Sequence, residues 1–218
     1  MKHFVLFLCA VCTASLSLSA GEVKQLPLQK NNPLAFVQNK GQWPSEVQFL
    51  AQTGGMNAWV TTTGIRYDFY VLDVKKPDKL EQILTKNPPM SGTIHGNVVD
   101  MEFVGGSTPI DAPNQLHSTY YNYFIGTDKS KWASNVALYG EVTRREIYKG
   151  IDARLYFDGG YMRYDFNVGA SSNPDDIAIK FSGAQSTKIN TKGELVLQTS
   201  IGEIVHQKLF AYQEVNGK

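Results

Sequence analysis

Cysteine is nearly missing from this chain: Cys9 and Cys12 are its only two, and both lie at the extreme N-terminus. Beyond them no thiol is available for a disulfide, a nucleophile or a cysteine metal site. A surplus of either charge is also missing, with 21 Lys and Arg against 20 Asp and Glu. That balance excludes a basic stripe for nucleic acid or an anionic membrane surface. The segment after the leader contains no apolar run long enough to span a bilayer. HExxH spacing, a G-x-S-x-G elbow, a phosphate-cradling glycine loop and a dinucleotide fingerprint are absent too. His95, His117 and His206 are scattered, which favours a surface or sheet-face role over metal ligation. No cofactor is expected.

What is present begins with "MKHFVLFLCAVCTASLSLSA". A short basic start at Lys2 and His3, an apolar run from Phe4 to Val11 and the small-x-small triplet Ser17-Leu18-Ser19 predict a secretory signal peptide over residues 1–19. Cleavage after Ala20 would put the bulkier Leu18 at the outer recognition position, so the cut after Ser19 is favoured. Leu8 and Val11 precede the cysteines, where lipid attachment needs a small residue. Removing Lys2 takes Lys and Arg from 21 to 20 against 20 acids, leaving the mature chain formally neutral. The expected destination is secretion or the cell surface, with no membrane span after cleavage. Length alone can supply a core without disulfides, as is usual for an exported bacterial protein.

Residues 20–35 read as a loosely ordered polar segment, and residues 36–218 as a single β domain. "VQFLAQT", "MNAWVTTT" and "IRYDFYVLDV", separated by short turns, predict a three-stranded meander. Lys75 to Pro89 reads either as a short helix carrying Leu80, Ile83 and Leu84 on one face or as a charged surface insertion. Val99, Met101 and Phe103 then share the face of a further strand. Asp128 should cap a turn carrying Trp132, and "SNPDDI" a second one, with Asn173 as cap and Pro174 first. The fold class is all-β: a β-sandwich or related two-sheet antiparallel fold with meander hairpins and at most one or two short helical turns.

"GIDARLYFDGGYMRYDF", Gly150 to Phe166, is the segment richest in chemistry. With Gly159 and Gly160 as the turn, Asp158 lies opposite Tyr161. One face then pairs Phe157 with Met162, Leu155 with Tyr164, Ala153 with Phe166 and Ile151 with Val168. The other pairs Tyr156 with Arg163, a cation over a ring, and Arg154 with Asp165 across the ladder. Hairpin alternation thus accounts for the carboxylates. Asp152 and Asp165 share a face, and as a glycosidase pair they would have to border a cleft about 5 to 9.5 Å apart. Trp43, Trp59, Trp132 and the pair Tyr120 and Tyr121 are the candidate ligand-binding residues, as a sugar-stacking platform, set against the commoner role of strand aromatics as core.

Three clusters, "FVQNKGQWPSEVQFLAQ", "YNYFIGTDKSKWASNVALYGEVTRREIYKGIDARLYF" and "YDFNVGASSNPDDIAIKFSGA", with "AYQEVNG" near the end, together resemble a known family. It is the N-terminal domain of unknown function found before SBBP-type β-propeller repeats, or Ig-like or PKD-like repeats, in large exported proteins of Gram-negative bacteria. Some of those proteins carry gliding-motility-type sorting domains. "GA" at Gly169 and Ala170 stands where the family often has a proline-glycine turn. The resemblance implies a secreted or surface-displayed β domain with no catalytic residues to carry over.

The expected function is therefore that of a non-enzymatic module at the front of a modular cell-surface or secreted bacterial protein, structural or adhesive. A carbohydrate-binding module is the alternative, and a glycan-acting hydrolase the third choice. Downstream repeat domains of the same polypeptide, a surface glycan or a protein are the expected partners. "LFAYQEVNGK" reads as a strand bearing Phe210 and Tyr212 that runs into an Asn216-Gly217 hairpin turn, so the domain is expected to be incomplete at its C-terminus.

Overall fold

The computed structural model describes residues 10–13, 33–75 and 91–213. The Lys75 to Pro89 insertion, most of the 20–35 segment and the Asn216-Gly217 turn fall almost wholly outside the described residues. The structure is all-β. Its strands are β1 (Ala10–Thr13), β2 (Phe36–Gln38), β3 (Val47–Thr53), β4 (Met56–Thr61), β5 (Gly64–Lys75), β6 (Ser91–Phe103), β7 (Ile110–Tyr123), β8 (Ala133–Tyr148), β9 (Ile151–Asp158), β10 (Tyr161–Val168), β11 (Ile179–Ser182), β12 (Ser186–Ile189), β13 (Leu195–Thr199) and β14 (Gly202–His206). Among the described residues the helical content is two 3₁₀ turns, Lys129–Lys131 and Pro174–Asp176. The Asp128 and Asn173 side chains accept from Ser130 N and Asp175 N, as the capping logic requires. No helix among the described residues is long and apolar enough to cross a membrane.

All pairings are antiparallel, and the strands run β11-β6-β5-β4-β3-β2-β8-β9-β10-β1-β14-β13-β12, with β7 on the other edge of β8. The long β8 belongs to both layers. Phe36 of β2 pairs with Tyr139, whereas Leu155 of β9 pairs with Val142 further along the same edge. The sheet folds back on itself there, and the core fills the space between. Phe36, Phe49, Val60, Tyr67, Met101 and Phe103 from one side meet Ile147, Leu155, Met162, Tyr164 and Phe166 from the other. Burying each such side chain contributes about 1.5–3 kcal/mol.

Strand alternation decides which residues reach that core. In β4, Met56, Ala58 and Val60 are buried while Asn57, Trp59 and Thr61 are half-buried. In β3, Leu50 is buried as well, because the outward face of this strand is covered by a satellite cluster of Ala35, Val37, Leu50, Ala133, Val136 and Leu138. Gly64 opens β5 where a Cβ would run into the Met101 carbonyl oxygen, so this close backbone approach admits glycine alone.

The Gly150 to Phe166 hairpin has the register that its alternation predicts: Asp158 pairs with Tyr161, Leu155 with Tyr164 and Arg154 with Asp165. Gly159 and Gly160 take φ of 57° and 87°, the left-handed values of a type I′ turn. The strand expected to carry Phe210 and Tyr212 needs correction. Residues 207–213 form no strand, and Leu209, Phe210 and Tyr212 are exposed.

Candidate functional site

Three places bring chemistry together. The first is the outer face of the hairpin. Tyr156 and Arg163 are directly paired, but the ring receives a different cation: the Arg154 guanidinium lies 4.4 Å from the Tyr156 centroid. Arg154 also bonds Glu141 of β8, Nη2 to Oε2 at 2.6 Å, and Arg163 bonds Asp158 at 2.8 Å. The cross-strand partner of Asp165 is thus engaged elsewhere, and Asp165 is 1% exposed rather than at the surface. Its carboxylate lies buried beside the Tyr156 hydroxyl. Burial raises its pKa, against the Tyr156 hydroxyl and the Arg154 and Arg163 charges that pull it down. Asp152 Oδ1 accepts from Glu146 N at 2.8 Å, which ties the second half of the candidate carboxylate pair to the irregular end of β8.

The second place is aromatic. Trp43 meets Trp59 at 5.4 Å and 88°, and Tyr123 at 5.4 Å and 70°. Tyr121 meets Tyr123 at 6.4 Å. All four rings pack on the satellite cluster and stay partly exposed. Burial raises the pKa of both tyrosines. Trp43, Trp59 and Tyr121 are therefore brought together, joined by Tyr123. Tyr120 is 57% exposed on β7. Trp132 sits apart, edge-on to Phe124 at 5.6 Å with Lys129 Nζ 5.7 Å from its ring. The four clustered rings meet edge to face, so they make a corrugated patch, not a plane.

The third place is a cavity of about 400 Å³ lined by Tyr164, Phe181, Ile189, Leu195, His206 and Leu209 among others. His206, expected at a surface or on a sheet face, is 2% exposed. Its Nδ1 lies 3.3 Å from the Tyr164 hydroxyl, Nε2 is buried without a partner, and three rings surround it. Burial lowers its pKa to about 4, so the imidazole is neutral at pH 7. Spacing hints at this site, because His206 shares a strand face with buried Ile204. The Glu141–Arg154 pair carries no such local signal, since the two residues belong to different strands. Another cavity, about 350 Å³, is polar, with Glu46, Arg66, Asp100 and Glu102 on its wall. Arg66 and Asp100 close on each other there at 2.7 and 3.2 Å. Among the described residues no group of three or more His, Cys, Asp or Glu is placed to hold a metal ion.

Comparison with known proteins gives no similar curated protein and no similar solved structure. A family model does match, over residues 36–218, a span that takes in all three places just described. On that match the chain belongs to the family described as "Domain of unknown function (DUF7948)".

Proposed function

We propose that the chain is a non-catalytic β module, exported by way of residues 1–19 and serving a structural or adhesive role at the front of a modular cell-surface or secreted protein. The observation that carries this reading is the patch of Trp43, Trp59, Tyr121 and Tyr123. It is a half-exposed aromatic surface fixed on a packed satellite core, and aromatic residues held in place supply contact area at low entropic cost. The hairpin charges support the non-catalytic part. Glu141, Asp152 and Asp158 are each engaged in binding one strand or connection to another. The resemblance to domains that precede SBBP-type or Ig-like repeats supplies the modular context.

A carbohydrate-binding role is the second reading, favoured by the same half-exposed tryptophans. A glycan array probed with the purified exported form separates the two. The adhesive reading expects no glycan signal and attachment to whole cells that falls when Trp43 and Trp59 are replaced by alanine. A glycan signal that the same substitutions abolish would overturn it in favour of sugar binding. Intact-mass measurement of the exported protein tests the leader: a chain still beginning at Met1 refutes export by cleavage.

A further inference from the structure

The strand β1 lies within the leader, and it is not peripheral. It pairs antiparallel with β10 through Ala10 and Tyr164 and through Val11 and Arg163, and with β14 through Cys12 and His206 and through Thr13 and Val205. Among the described residues it is the only backbone link between the main sheet and the β12–β13–β14 meander, because β14 otherwise pairs with β13 alone. Any strand held in this slot presents four consecutive residues opposite Tyr164, Arg163, His206 and Val205, in that order. Residues paired across a ladder share a face. Tyr164 and His206 are buried, whereas Arg163 and Val205 are half-buried. The first and third residues of a slot strand therefore turn to the core, and the second and fourth turn away.

Export removes β1 and leaves residues 20–35 attached to β2. Between Ala20 and Pro33 only Leu26 and Leu28 place two large apolar side chains two positions apart. With Leu26 opposite Tyr164, Pro27 falls opposite Arg163, Leu28 opposite His206 and Gln29 opposite Val205. Both leucines then face the core, and Gln29 faces out. They are larger than Ala10 and Cys12, and the cavity of about 400 Å³ with Tyr164 and His206 in its wall supplies the room. Pro27 costs no ladder bond on the β14 side, because β14 ends at His206, one position short. A position with a neighbouring strand on one edge only is where a sheet admits proline.

Direction and reach agree with this register. β1 runs along β10 from Tyr164 to Arg163, toward the hairpin end where Phe157 pairs with Met162. The first residue of β2 is at that end too, since the Phe36 and Phe157 rings are 4.8 Å apart. The crossing from the slot to β2 is therefore about two strand spacings, roughly 10 Å. The seven peptide steps from Gln29 to Phe36 reach up to about 23 Å.

We propose that the slot between β10 and β14 is held by β1 in the precursor and by Leu26–Gln29 of the same chain once the leader is cut. The inference rests on the export reading above. Release follows hydrolysis of the Ser19–Ala20 peptide bond by signal peptidase: water adds across the bond, leaving a carboxylate on Ser19 and an amine on Ala20. The leader is a placeholder that keeps both sheet edges paired until the mature N-terminus is free to take its place. An open edge is a template for aggregation, so the exchange has a direct use.

The test is hydrogen exchange on the purified precursor and on its product after signal peptidase treatment and removal of the leader peptide. The expected result is amide exchange about tenfold slower at Leu26, Leu28 and Gln29 in the product, with β10 and β14 protected in both forms. Leu28→Asp sets a carboxylate opposite buried His206 and should abolish the new protection, whereas Val23→Asp, outside the slot, should leave it. A synthetic peptide of residues 8–15 should bind the cleaved Leu28→Asp chain but not the cleaved wild type. Fast exchange at Leu26 to Gln29 with β10 and β14 still protected would overturn the proposal and assign the slot to another strand. Slowed exchange that appears only in a dimer would overturn it in favour of a second copy's segment. Loss of protection along β10 and β14 would overturn it in favour of an open slot. A precursor that resists the peptidase overturns the export reading and this inference together, so the two failures are distinguishable.

Discussion

At the scale of single residues, two buried titrating groups, Asp165 on β10 and His206 on β14, give the domain opposing responses to acid. His206 has its pKa lowered to about 4 by burial, against about 6.5 when unfolded. Between those values the unfolded chain binds more protons than the native one, so stability falls as pH drops from about 6.5 to 4. The slope is at most about 1.4 kcal/mol per pH unit. Urea unfolding of wild type and His206→Phe across this range should show the slope in the first and its reduction in the second. Asp165 works the other way. Its pKa is raised, chiefly by burial, so the native state holds its proton more tightly, and stability is lost as pH rises through the window just above the ordinary carboxylate value. Asp165→Asn should therefore be more stable than wild type at pH 7, with the difference vanishing at acid pH. A destabilised variant at pH 7 would show that the carboxylate charge is used.

At the scale of elements, Gly159 and Gly160 make a turn that needs positive φ at both positions, and nothing lies within 4 Å of a Cβ built on either. Gly159→Asn keeps that conformation accessible and narrows the unfolded ensemble, so it should raise stability by about 0.4–1 kcal/mol. Leu155, fully buried at the centre of β9, should cost about 2–5 kcal/mol as alanine. Thermal unfolding of the two variants beside wild type checks both signs. This hairpin was legible in the sequence because turn type and alternation are local and fix every pairing between them. The ion pairs on its outer face were not. Arg154 chose Glu141 over Asp165 because β8 lies on the far edge of β9, a neighbour that local spacing does not announce. The aromatic patch was half legible for the same reason. Trp43 and Trp59 were visible as candidates, whereas their meeting with Tyr123 depends on the β2–β8 pairing that brings β7 near. The tail at Phe210 reads as a strand by pattern, but residues 207–213 form none in the structure.

At the scale of the whole molecule, the two layers are pinned by one buried cation. Arg144 on β8 has a side chain with no exposure, and its Nε bonds Asp111 of β7 at 2.9 Å while Nη1 bonds the Gly64 carbonyl of β5 at 3.1 Å. One guanidinium thus ties the strand shared by both layers to the edge strand beside it and to the opposite layer. Nη2 is left without a partner, and burial lowers the pKa of the group against the pull of Asp111. Desolvation here offsets much of the Coulombic gain, so the pin contributes definition of the layer spacing more than net stability. Replacing Arg144 alone with methionine strands Asp111 at 13% side-chain exposure and should cost about 3–5 kcal/mol. Replacing both, Arg144→Met with Asp111→Leu, removes the orphaned charge and should recover most of that loss, by the same argument that apolar pairs replace buried ion pairs at little cost. Urea denaturation of the two single variants and the double variant measures the coupling. If the losses simply add, Arg144 and Asp111 act independently, and the layers are held together by the apolar core alone.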